Sequence, residues 1–457
     1  MADLHVHLRT LGIFLGFWLV ACGGESGDER TVPPSTIVNP PAPPLPPVVK
    51  PKPGGTTYKL GGTVSGLEDG TTLTLLDSGG NPVKIASNGT FFFPASFANG
   101  STYSVTVGEP PDWQNCSVRE GSGTLSANVM NLVIACAADQ AKVSTLVAAT
   151  LNERRYLPTP IGSPNAIAVD AKGNLYVTVA HEILVSAPDG VVSLVAGSVT
   201  PGSANGTGTA ASFFDPMGIV VDARGNLYVA DEHNNEIRKI TPAGVVTTLA
   251  GSTTPGISDG SGALASFFAP SAIAVDTAGN LYVADTGNEE IRKITPNGNV
   301  STLLSPTTRT ADGTYVSLHA LSGIAVDASG NIYVSDYLAN EIVKRTPGGL
   351  VTVMAGAVTP GAEDGAGAAA RFNGPSGLAV DTSGMVYVSD KNNNEIRRIT
   401  PTGVVTTLAG SGLPGAIDDI GRAATFYEPS GVAVDAHSNV YVADRSNNEI
   451  RKIMPIQ

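Results

Sequence analysis

The sequence predicts an all-β protein in which a small antiparallel β-sandwich precedes six copies of one four-stranded unit. Three observations support this prediction. The chain has 53 Gly and 32 Pro among 457 residues, so it is rich in turns. Its apolar runs are short and separated by turn residues, with no long segment of helical periodicity. One motif also recurs at a nearly constant interval through the last three hundred residues.

Charge and cysteine content exclude two classes of function. The chain carries 27 Lys and Arg against 40 Asp and Glu, a net charge of −13. Such a protein repels nucleic acid, so we expect no nucleic-acid partner. The three cysteines, Cys22, Cys116 and Cys136, form no CxxC pair, and a structural zinc site is therefore not indicated.

The N-terminus is interpreted as an export signal over residues 1–21. Arg9 precedes the apolar run Leu11–Val20, which is too short to span a bilayer as a helix. The run ends in Leu-Val-Ala-Cys22, which resembles the lipobox of bacterial lipoproteins and implies lipidation of Cys22. The resemblance implies an exported protein anchored in the bacterial envelope, with Gly23 favouring the outer membrane, facing the periplasm or the cell surface. The alternative is an ordinary secretory signal in which Cys22 is incidental.

Residues 22–57 are interpreted as a lipidated cysteine followed by a proline-rich linker. Ten prolines lie among the twenty-one residues from Pro33 to Pro53. Such a run favours extended polyproline II, a semi-rigid stalk of about 65 Å at ~3.1 Å per residue. A disordered linker is the alternative, and both hold the folded part away from the lipid.

Residues 58–137 are predicted to form the small sandwich. Five short apolar runs alternate with turns such as Asn88-Gly89 and Asn99-Gly100. The strand spacing resembles Ig-like or prealbumin-like modules of bacterial surface lipoproteins. Cys116 and Cys136 are expected to form a disulfide that clamps the last hairpin, the alternative being two free buried thiols. Nothing here indicates catalysis, so we expect a spacer or adhesion role.

The rest of the chain repeats the motif Gly-Ile-Ala-Val-Asp-x-x-Gly-Asn-Leu-Tyr-Val-Ala-Asp. Its first Asp stands at Asp170, Asp222, Asp276, Asp327, Asp381 and Asp435. Each copy continues with Asn-Asn-Glu-Ile-Arg-Lys-Ile-Thr-Pro-x-Gly and a Val-Val-Thr-Thr-Leu-Ala-Gly strand, so each contains four strands. These copies resemble NHL repeats over roughly 143–453, which implies a six-bladed NHL-type β-propeller over residues 142–454.

The number of strands predicts how the ring closes. The last copy ends at Ile453 without a fourth strand, whereas Val143–Ala148 reads like a fourth strand placed before the first copy. We therefore expect the N-terminal strand to pair into the last blade, which leaves no free sheet edge there. A solenoid is the alternative, but its polar capping repeats are not evident.

Two sets of acidic residues are candidate sites at the end of the blades that carries the long loops, which we call the long-loop face. An Asp ends the second strand of five blades, at Asp231, Asp285, Asp336, Asp390 and Asp444. These carboxylates are interpreted either as a ring at the channel mouth that binds a divalent cation such as calcium, or, as we favour, as acceptors of turn N–H groups. The long loops share an Asp/Asn-Gly and Phe pattern, as in Asp259-Gly260 with Phe267. It is read either as a cation or partner rim or, preferentially, as a turn with a Phe between blades.

Basic and histidine residues are weighed in the same way. Each blade from the second onwards carries a pair such as Arg238-Lys239 on its third strand, expected to form solvated faces and salt bridges. Gluconolactonase-like and streptogramin-lyase-like propellers, which these repeats also resemble, use His and acidic residues around a metal. Such a site here requires His181, His233 and His319 to converge with Asp231 and Asp285, and scattered surface His is favoured.

Departures from the repeat are the clues to a partner site. The loop of blade one contains Arg154, Arg155 and Tyr156, and that of blade four contains Arg309, Tyr315 and His319. Arg and Tyr are enriched at interaction hot spots, so these six residues are the predicted partner-binding positions, with loop drift as the alternative. Met385 in place of Asn and Ser438 in place of Gly are expected to have no functional consequence.

The combined reading is an envelope-anchored, monomeric lipoprotein without a required cofactor. We expect its propeller to act as a non-catalytic platform for a protein or glycan on the long-loop face. The alternative function is a metal-dependent propeller enzyme of the lactonase or streptogramin-lyase type, and the third possibility is a surface protein without a ligand.

Overall fold

The computed structural model of the protein describes residues 56–147, 162–309 and 315–456, with only the backbone for 307–309 and 315–317. The described residues belong to one compact unit. Strands dominate it, and its helices are 3₁₀ turns of three residues at Gly208–Ala210, Glu232–Asn234, Gly262–Leu264, Thr286–Asn288, Gly367–Ala369, Lys391–Asn393, Gly421–Ala423 and Arg445–Asn447. None of these described helices is long enough and apolar enough to cross a membrane.

The first part of this unit is a two-layered β domain. A four-stranded sheet contains Gly89–Phe92, Leu60–Ser65, Val129–Ala138 and Gln114–Arg119, in that spatial order. A three-stranded sheet contains Pro82–Ile85, Leu73–Leu76 and Thr106–Glu109, and the pairs Thr57–Tyr58 with Phe97–Ala98 and Thr102–Ser104 with Ser122–Thr124 complete the domain. Alternate side chains of both sheets, such as Leu75 and Leu132, share one buried core, as a sandwich requires.

One strand pairing in this domain differs from the antiparallel expectation. Leu60–Ser65 and Val129–Ala138 run parallel, because the chain traverses the rest of the domain between them and returns in the same direction. The expected disulfide is present: Cys116 and Cys136 lie directly opposite each other on an antiparallel pair, with their Cα atoms 4.0 Å apart. The covalent link thus joins the last two long strands of the domain.

The second part is a ring of six four-stranded antiparallel blades. From the inner to the outer strand, the blades are as follows. Blade one contains Pro164–Val169, Leu175–Val179, Glu182–Ser186 and Val192–Gly197, and blade two contains Pro216–Val221, Leu227–Asp231, Glu236–Ile240 and Val245–Gly251. Blade three contains Pro270–Val275, Leu281–Asp285, Glu290–Ile294 and Asn299–Leu304, and blade four contains Leu321–Val326, Ile332–Asp336, Glu341–Arg345 and Val351–Gly356. Blade five contains Pro375–Val380, Val386–Asp390, Glu395–Ile399 and Val404–Ala409, and blade six contains Pro429–Val434, Val440–Asp444, Glu449–Ile456 and Gln140–Val147. Short strands from the long loops, Gly206–Thr207, Gly260–Ser261 and Gly365–Ala366, pair outside blades two, three and five, and Thr307–Arg309 pairs with Tyr315–Ser317.

The ring closes as the sequence predicts. Gln140–Val147 is the outer strand of the sixth blade and pairs antiparallel with Glu449–Ile456, with Val143 opposite Ile453. Because the first and last segments share one sheet, the outer side of Glu449–Ile456 is paired and blade six has four strands like the others.

The repeated Asp-x-x-Gly-Asn sequence forms the turn between the first two strands of each blade. In blade two, the Asp222 carboxylate accepts the backbone N–H groups of Arg224 and Asn226 at 2.9 and 2.8 Å and the Tyr228 hydroxyl at 3.2 Å. Partial burial raises the pKa of Asp222, but these hydrogen bonds outweigh it, so that the pKa lies below its ordinary value. Burial also raises the pKa of Tyr228 to about 12. These turns lie at the end of the blades opposite the long-loop face.

The small domain docks on that opposite end, at blades five and six. Trp113 is only 2% exposed and shares a buried cluster with Met385 and Tyr387. Its indole Nε1 donates to the Tyr387 hydroxyl at 2.8 Å. Glu68 accepts two bonds from the guanidinium of Arg398 at 2.8 and 2.9 Å. Arg398 occupies the position at which most other blades carry Lys, so this contact is particular to blade five.

The two departures of the turns from the repeat, Met385 and Ser438, lie where the small domain docks. Met385 is 1% exposed in the cluster around Trp113, where the Asn of other blades is polar. Burial and the neighbouring Asp381 raise the pKa of Asp112, and the nearby Ser438 and Ser383 hydroxyls lower it in part. Blades five and six thus depart from the repeat where the small domain requires it.

Candidate functional site

The Asp that ends the second strand is buried inside its blade rather than open to the channel. In blade two, the Asp231 carboxylate accepts the Phe214 backbone N–H at 2.8 Å, the Asn234 side chain at 2.8 Å and the Arg238 guanidinium at 2.7 Å. Asp285, Asp390 and Asp444 make the same three kinds of bond in their blades. Burial raises the pKa of Asp231 despite these bonds. The carboxylates therefore face arginine and N–H donors.

In four of the five repeated basic pairs, an arginine is also buried, contrary to the solvated position expected for it. Arg238, Arg292, Arg397 and Arg451 are all 0% exposed. Each lies over the Phe of its long loop, with 5.2–5.3 Å from the guanidinium carbon to the ring centroid. The lysine of the pair instead lies over a tyrosine ring, as Lys239 does over Tyr228. The expected salt bridges are present, but they are internal.

The Asp or Asn of each long loop completes this arginine site. Arg292 donates to Asp259 at 2.7 Å, and the corresponding arginines reach Asn205, Asp364 and Asp418. Phe213, Phe267, Phe372 and Phe426 are fully buried between blades. The shared loop pattern thus holds the loop onto the blade, through a buried charge and a buried ring.

Two blades depart from this arrangement in different ways. Blade one has Val179 and Leu184 in place of both the Asp and the Arg. Blade four keeps Asp336 but has Val343 in place of the Arg. There the Asp336 carboxylate accepts backbone N–H groups instead, from His319 at 2.8 Å and Ala339 at 3.0 Å. Blades one and four are also those whose loops break the repeat.

Two of the histidines meet at the seam of blades one and two. His181 Nδ1 and His233 Nδ1 lie 3.3 and 3.5 Å from the two Asp215 carboxylate oxygens, and the His233 ring stacks on Phe214 at 4.8 Å. His181 Nδ1 also accepts the Asp215 backbone N–H at 3.2 Å, as Asn235 does for Ala269 one blade further. His181 thus fills the structural place of an asparagine as well.

The convergence required for a metal centre is not formed by the predicted set. Asp231 and Asp285 bind arginines, and His319 is exposed on blade four, where its backbone bonds Asp336. His437 lies in a turn at the opposite end. Among residues 56–147, 162–309 and 315–456, no three His, Cys, Asp or Glu side chains are grouped to hold a metal ion.

The channel mouth at the long-loop face is a cavity of about 120 Å³. Its wall is formed by the first strands of all six blades, and its polar positions are Asn165, Ser271, Ser322, Ser376 and Ser430. Lys391 and Arg445, each the first residue after a ring Asp, also line it. Deeper in the channel the lining is apolar, from Ile167 to Val169 and the equivalent residues.

The loops around this mouth expose large apolar side chains. Eleven such residues lie in the loops that follow the second or fourth strand of a blade. We call eight of them, 36–70% exposed, the apolar crown: Val199, Phe214, Ile257, Phe268, Leu338, Val358, Leu413 and Tyr427. The other three are Leu264, Ile417 and Ile420. Large exposed apolar groups concentrated at one end of a protein are typical of interaction surfaces.

Comparison with known families agrees with the repeats. The sequence matches the Teneurin NHL domain over residues 254–416 and the NHL repeat over residues 215–240 and 426–453. The chain carries an NHL-repeat β-propeller.

Relatives of the NHL propeller occur in otherwise different proteins. The chain is 27% identical over 333 residues to Protein SUPPRESSOR OF QUENCHING 1, chloroplastic, of Arabidopsis thaliana, covering 66% of this chain and 31% of that protein. It is 28% identical over 341 residues to NHL repeat-containing protein 2 of Bos taurus, covering 64% and 47%. The chain spans less than half the length of these relatives.

Two solved structures share the fold of the small domain and the NHL propeller together. One is a structural genomics protein of unknown function from Bacteroides thetaiotaomicron, with a TM-score of 0.55 and 16% identity, covering 88% of this chain and 99% of that chain. The other is an auxiliary nutrient binding protein from the same organism, with a TM-score of 0.54 and 16% identity, covering 83% and 90%. At this identity the likeness concerns the fold.

The predicted partner-binding residues of the NHL propeller are only partly described. Arg154, Arg155 and Tyr156 lie outside the described residues, as does Cys22. Arg309 and Tyr315 lie opposite each other on a short hairpin before blade four, for which only the backbone is described.

The sequence reasoning missed the apolar crown and the two cations of the mouth. A signal was present for the crown: Val199 and Val358 stand at the same place in two copies, and Leu413 one position later in a third, in a turn where polar residues are usual. For the mouth, the position after the ring Asp varies from blade to blade, including Glu232, Thr286, Lys391 and Arg445. A variable position inside a repeat is the place to look for a specific site.

Proposed function

We propose that this protein is a non-catalytic binding platform whose apolar crown holds a protein partner. The observation that carries the proposal is the crown itself. Its eight side chains expose apolar surface at one end of the propeller, where burial against a partner removes them from water at a gain of about 25 cal/mol per Å². The opposite end is where the small domain docks.

The composition of the crown favours a protein over a glycan. Five of its members, Val199, Ile257, Leu338, Val358 and Leu413, are aliphatic. Aliphatic side chains lose their hydration favourably against apolar protein surface, whereas a sugar presents hydroxyl groups that require hydrogen-bond partners. The auxiliary nutrient binding protein with the same fold is a precedent for a binding role, and a glycan ligand is an outcome that the experiment below separates.

The experiment uses photo-crosslinking followed by affinity measurement. A photoreactive phenylalanine analogue at Phe268 or Leu338 is expected to capture one partner in cells, whereas the same analogue at Phe92, which is 52% exposed on the small domain, is not. The triple variant F268S/L338S/L413S is then expected to weaken the purified partner's affinity at least about tenfold, or about 1.4 kcal/mol. A matched variant of the small domain, F92S/M130S/V133S, serves as the control.

The proposal fails if the crown variant and the small-domain control bind the partner equally well. If the crosslinked molecule is a polysaccharide rather than a polypeptide, the result indicates that the crown binds a glycan. We propose that binding needs no metal, so that EDTA leaves the affinity unchanged.

We further propose that Cys22 carries an acyl anchor and that the protein is held at the cell envelope. The Leu-Val-Ala-Cys22 sequence and the following proline-rich segment support this. Metabolic labelling with a palmitate analogue is expected to mark the wild type but not C22S, and C22S is expected to leave the membrane fraction. Labelling of C22S contradicts the anchor without affecting the crown.

The alternative function, a metal-dependent lactonase or lyase, is favoured by one observation. His181 and His233 share the Asp215 carboxylate on the long-loop face, in a group that breaks the repeat. Lactone hydrolysis and lyase activity are assayed with Mg²⁺, Mn²⁺ and Zn²⁺, for the wild type and for D215N and H233A. If the wild type is active and both variants lose that activity, the proposed binding function is wrong and the protein is an enzyme.

A further inference from the structure

The mouth of the propeller channel carries two basic side chains that have no carboxylate partner among the described residues. Lys391 and Arg445 belong to neighbouring blades, and both are half-buried at the edge of the 120 Å³ cavity. Neither forms an ion pair within the part of the chain that the structure describes. The buried arginine of each of these two blades, in contrast, binds two carboxylates within 2.9 Å.

The side chains of these two residues donate no hydrogen bond to the described residues. Arg445 Nε is buried without a hydrogen-bond partner in the described residues. Lys391 Nζ lies over the Tyr337 ring, 6.0 Å from its centroid, and forms no ion pair with a described residue. The Glu428 carboxylate, close to this site, is occupied by the Ser446 hydroxyl at 2.9 Å.

One serine of the mouth adds a third donor. The hydroxyls of Ser271, Ser322 and Ser430 donate to backbone carbonyls of the next blade, at 2.8–3.0 Å. The Ser376 hydroxyl lines the same cavity and makes no hydrogen bond to the described residues. Ser376 belongs to the same blade as Lys391, so the unused donors are on one side of the mouth.

Two unpaired, half-buried cations in a chain of net charge −13 create a local positive potential. Partial burial weakens the screening by water and strengthens the attraction for an anion. The cavity is smaller than the roughly 300–1,000 Å³ of sites for drug-sized ligands, so it admits a single group. An arginine fork and an ammonium suit the two oxygens of a carboxylate.

We propose that the channel mouth binds a carboxylate through Arg445, Lys391 and Ser376. The carboxylate comes either from a free small acid or from an acidic side chain of the partner on the apolar crown; only the second source rests on the proposed function. In that case the mouth supplies the charged centre of an interface whose rim is apolar, and it selects partners with an acidic residue at that place.

The test measures binding of two carboxylate probes to the full chain. The probes are glutarate and a fluorescent acetyl-triglutamate amide, with acetyl-triglutamine amide as the neutral control. The wild type is expected to bind a carboxylate probe but not the neutral peptide. The variant K391Q/R445Q is expected to weaken that binding about tenfold or more, and the charge-conserving K391R/R445K to retain most of it.

The matched control is K172Q/R224Q. Lys172 and Arg224 are exposed in turns at the opposite end of the propeller, so this variant changes the net charge equally. Its affinity is expected to stay within about twofold of wild type. Displacement of the labelled peptide by glutarate identifies a free acid as a sufficient ligand, whereas binding of the peptide alone identifies a partner side chain; both support the site.

The proposal is overturned if neither carboxylate probe binds the wild type. It is also overturned if K391Q/R445Q and the control K172Q/R224Q lose the same affinity for the probe. This outcome is distinct from failure of the platform, because the probes do not require the crown. The crown variant F268S/L338S/L413S is expected to bind glutarate as the wild type does, whether or not a protein partner exists.

Discussion

The indole of Trp113 donates a hydrogen bond to the phenol oxygen of Tyr387 at 2.8 Å, across 274 positions of the sequence. The Tyr387 hydroxyl in turn donates to Asp381 at 2.9 Å, in the turn between the first two strands of blade five. This chain of bonds joins the small domain to a repeated element of the propeller. It leaves the long-loop face, where the apolar crown and the two cations lie, at the other end of the blades.

Replacing Trp113 is expected to undock the small domain. W113A removes a 2% exposed side chain and leaves a cavity, which typically costs about 3–5 kcal/mol. We expect a lower unfolding midpoint and faster proteolysis between the two domains. F92A, at a side chain that is 52% exposed on the same domain, is expected to change neither. Unchanged proteolysis of W113A contradicts the contact in solution.

Removal of one member of a buried Asp–Arg pair is expected to cost more than removal of both. R238L leaves Asp231 buried without its 2.7 Å partner, at a cost of about 3–5 kcal/mol. D231V/R238L copies the Val179 and Leu184 of blade one and is expected to cost less than R238L alone. A double-mutant cycle by urea unfolding measures the difference, and additive costs contradict the coupling.

Neutralising Glu182 is expected to stabilise the protein at neutral pH. Burial raises the pKa of Glu182, and His181 lowers it in part. Leu184 stands where most other blades carry an arginine, which lowers the pKa of the equivalent glutamate, as Arg238 does for Glu236. The ionised form therefore costs stability above the folded pKa, and this cost is absent below about pH 4, where the carboxyl is protonated in both states. E182Q should raise the melting temperature by about 1–3 °C at pH 7 and leave it unchanged at pH 3.5.

Glu236 is the matched position for this test. Its carboxylate lies 3.5 Å from Arg238 Nε and accepts the Thr248 hydroxyl at 3.3 Å. Burial raises the pKa of Glu236 as well, but E236Q also removes these two contacts, so it is expected to stabilise the protein at pH 7 less than E182Q does. Equal gains in both variants would show that general burial, rather than the missing arginine, determines the effect.

The turn aspartates are expected to make the propeller sensitive to acid. Burial raises the pKa of Asp276, but hydrogen bonds from Asn280, Tyr282 and Ala278 outweigh this effect, so the pKa lies below its ordinary value. Its stabilising effect is therefore present above the unfolded pKa of about 3.9 and is lost as the pH falls through the folded value. D276N should lower the melting temperature by about 2–4 °C at pH 7 and by less at pH 3.

Asp189 is the control for the acid test. It lies in another turn, is exposed and accepts the Val191 N–H at 3.1 Å. D189N is expected to shift the melting temperature less than D276N at every pH. A D276N effect that is constant from pH 7 to pH 3 contradicts the role of the charge.

Much of the fold was predictable because its determinants are local or repeated. The Asp-x-x-Gly-Asn turns mark the strand ends, six copies define six blades, and the missing last strand predicts the pairing of Val143 with Ile453. The disulfide was predictable because Cys116 and Cys136 are the two cysteines of one small domain. The burial of Arg238 was not predictable from the sequence, because a pair of basic residues on a strand is expected to be exposed. Only the folded long loop, whose carbonyl groups accept hydrogen bonds from Arg238, covers it.

The sequence by itself determined the repeat, the blade count and the closure of the ring, since each depends on periodicity and short-range turn chemistry. Only the tertiary structure decided which seam receives Trp113 and where unpaired charge remains. Six similar blades offer six similar seams, and selection among them depends on shape and charge between residues far apart in the chain. For the same reason Lys391 and Arg445, 54 positions apart, became one site only when neighbouring blades brought them to the same mouth.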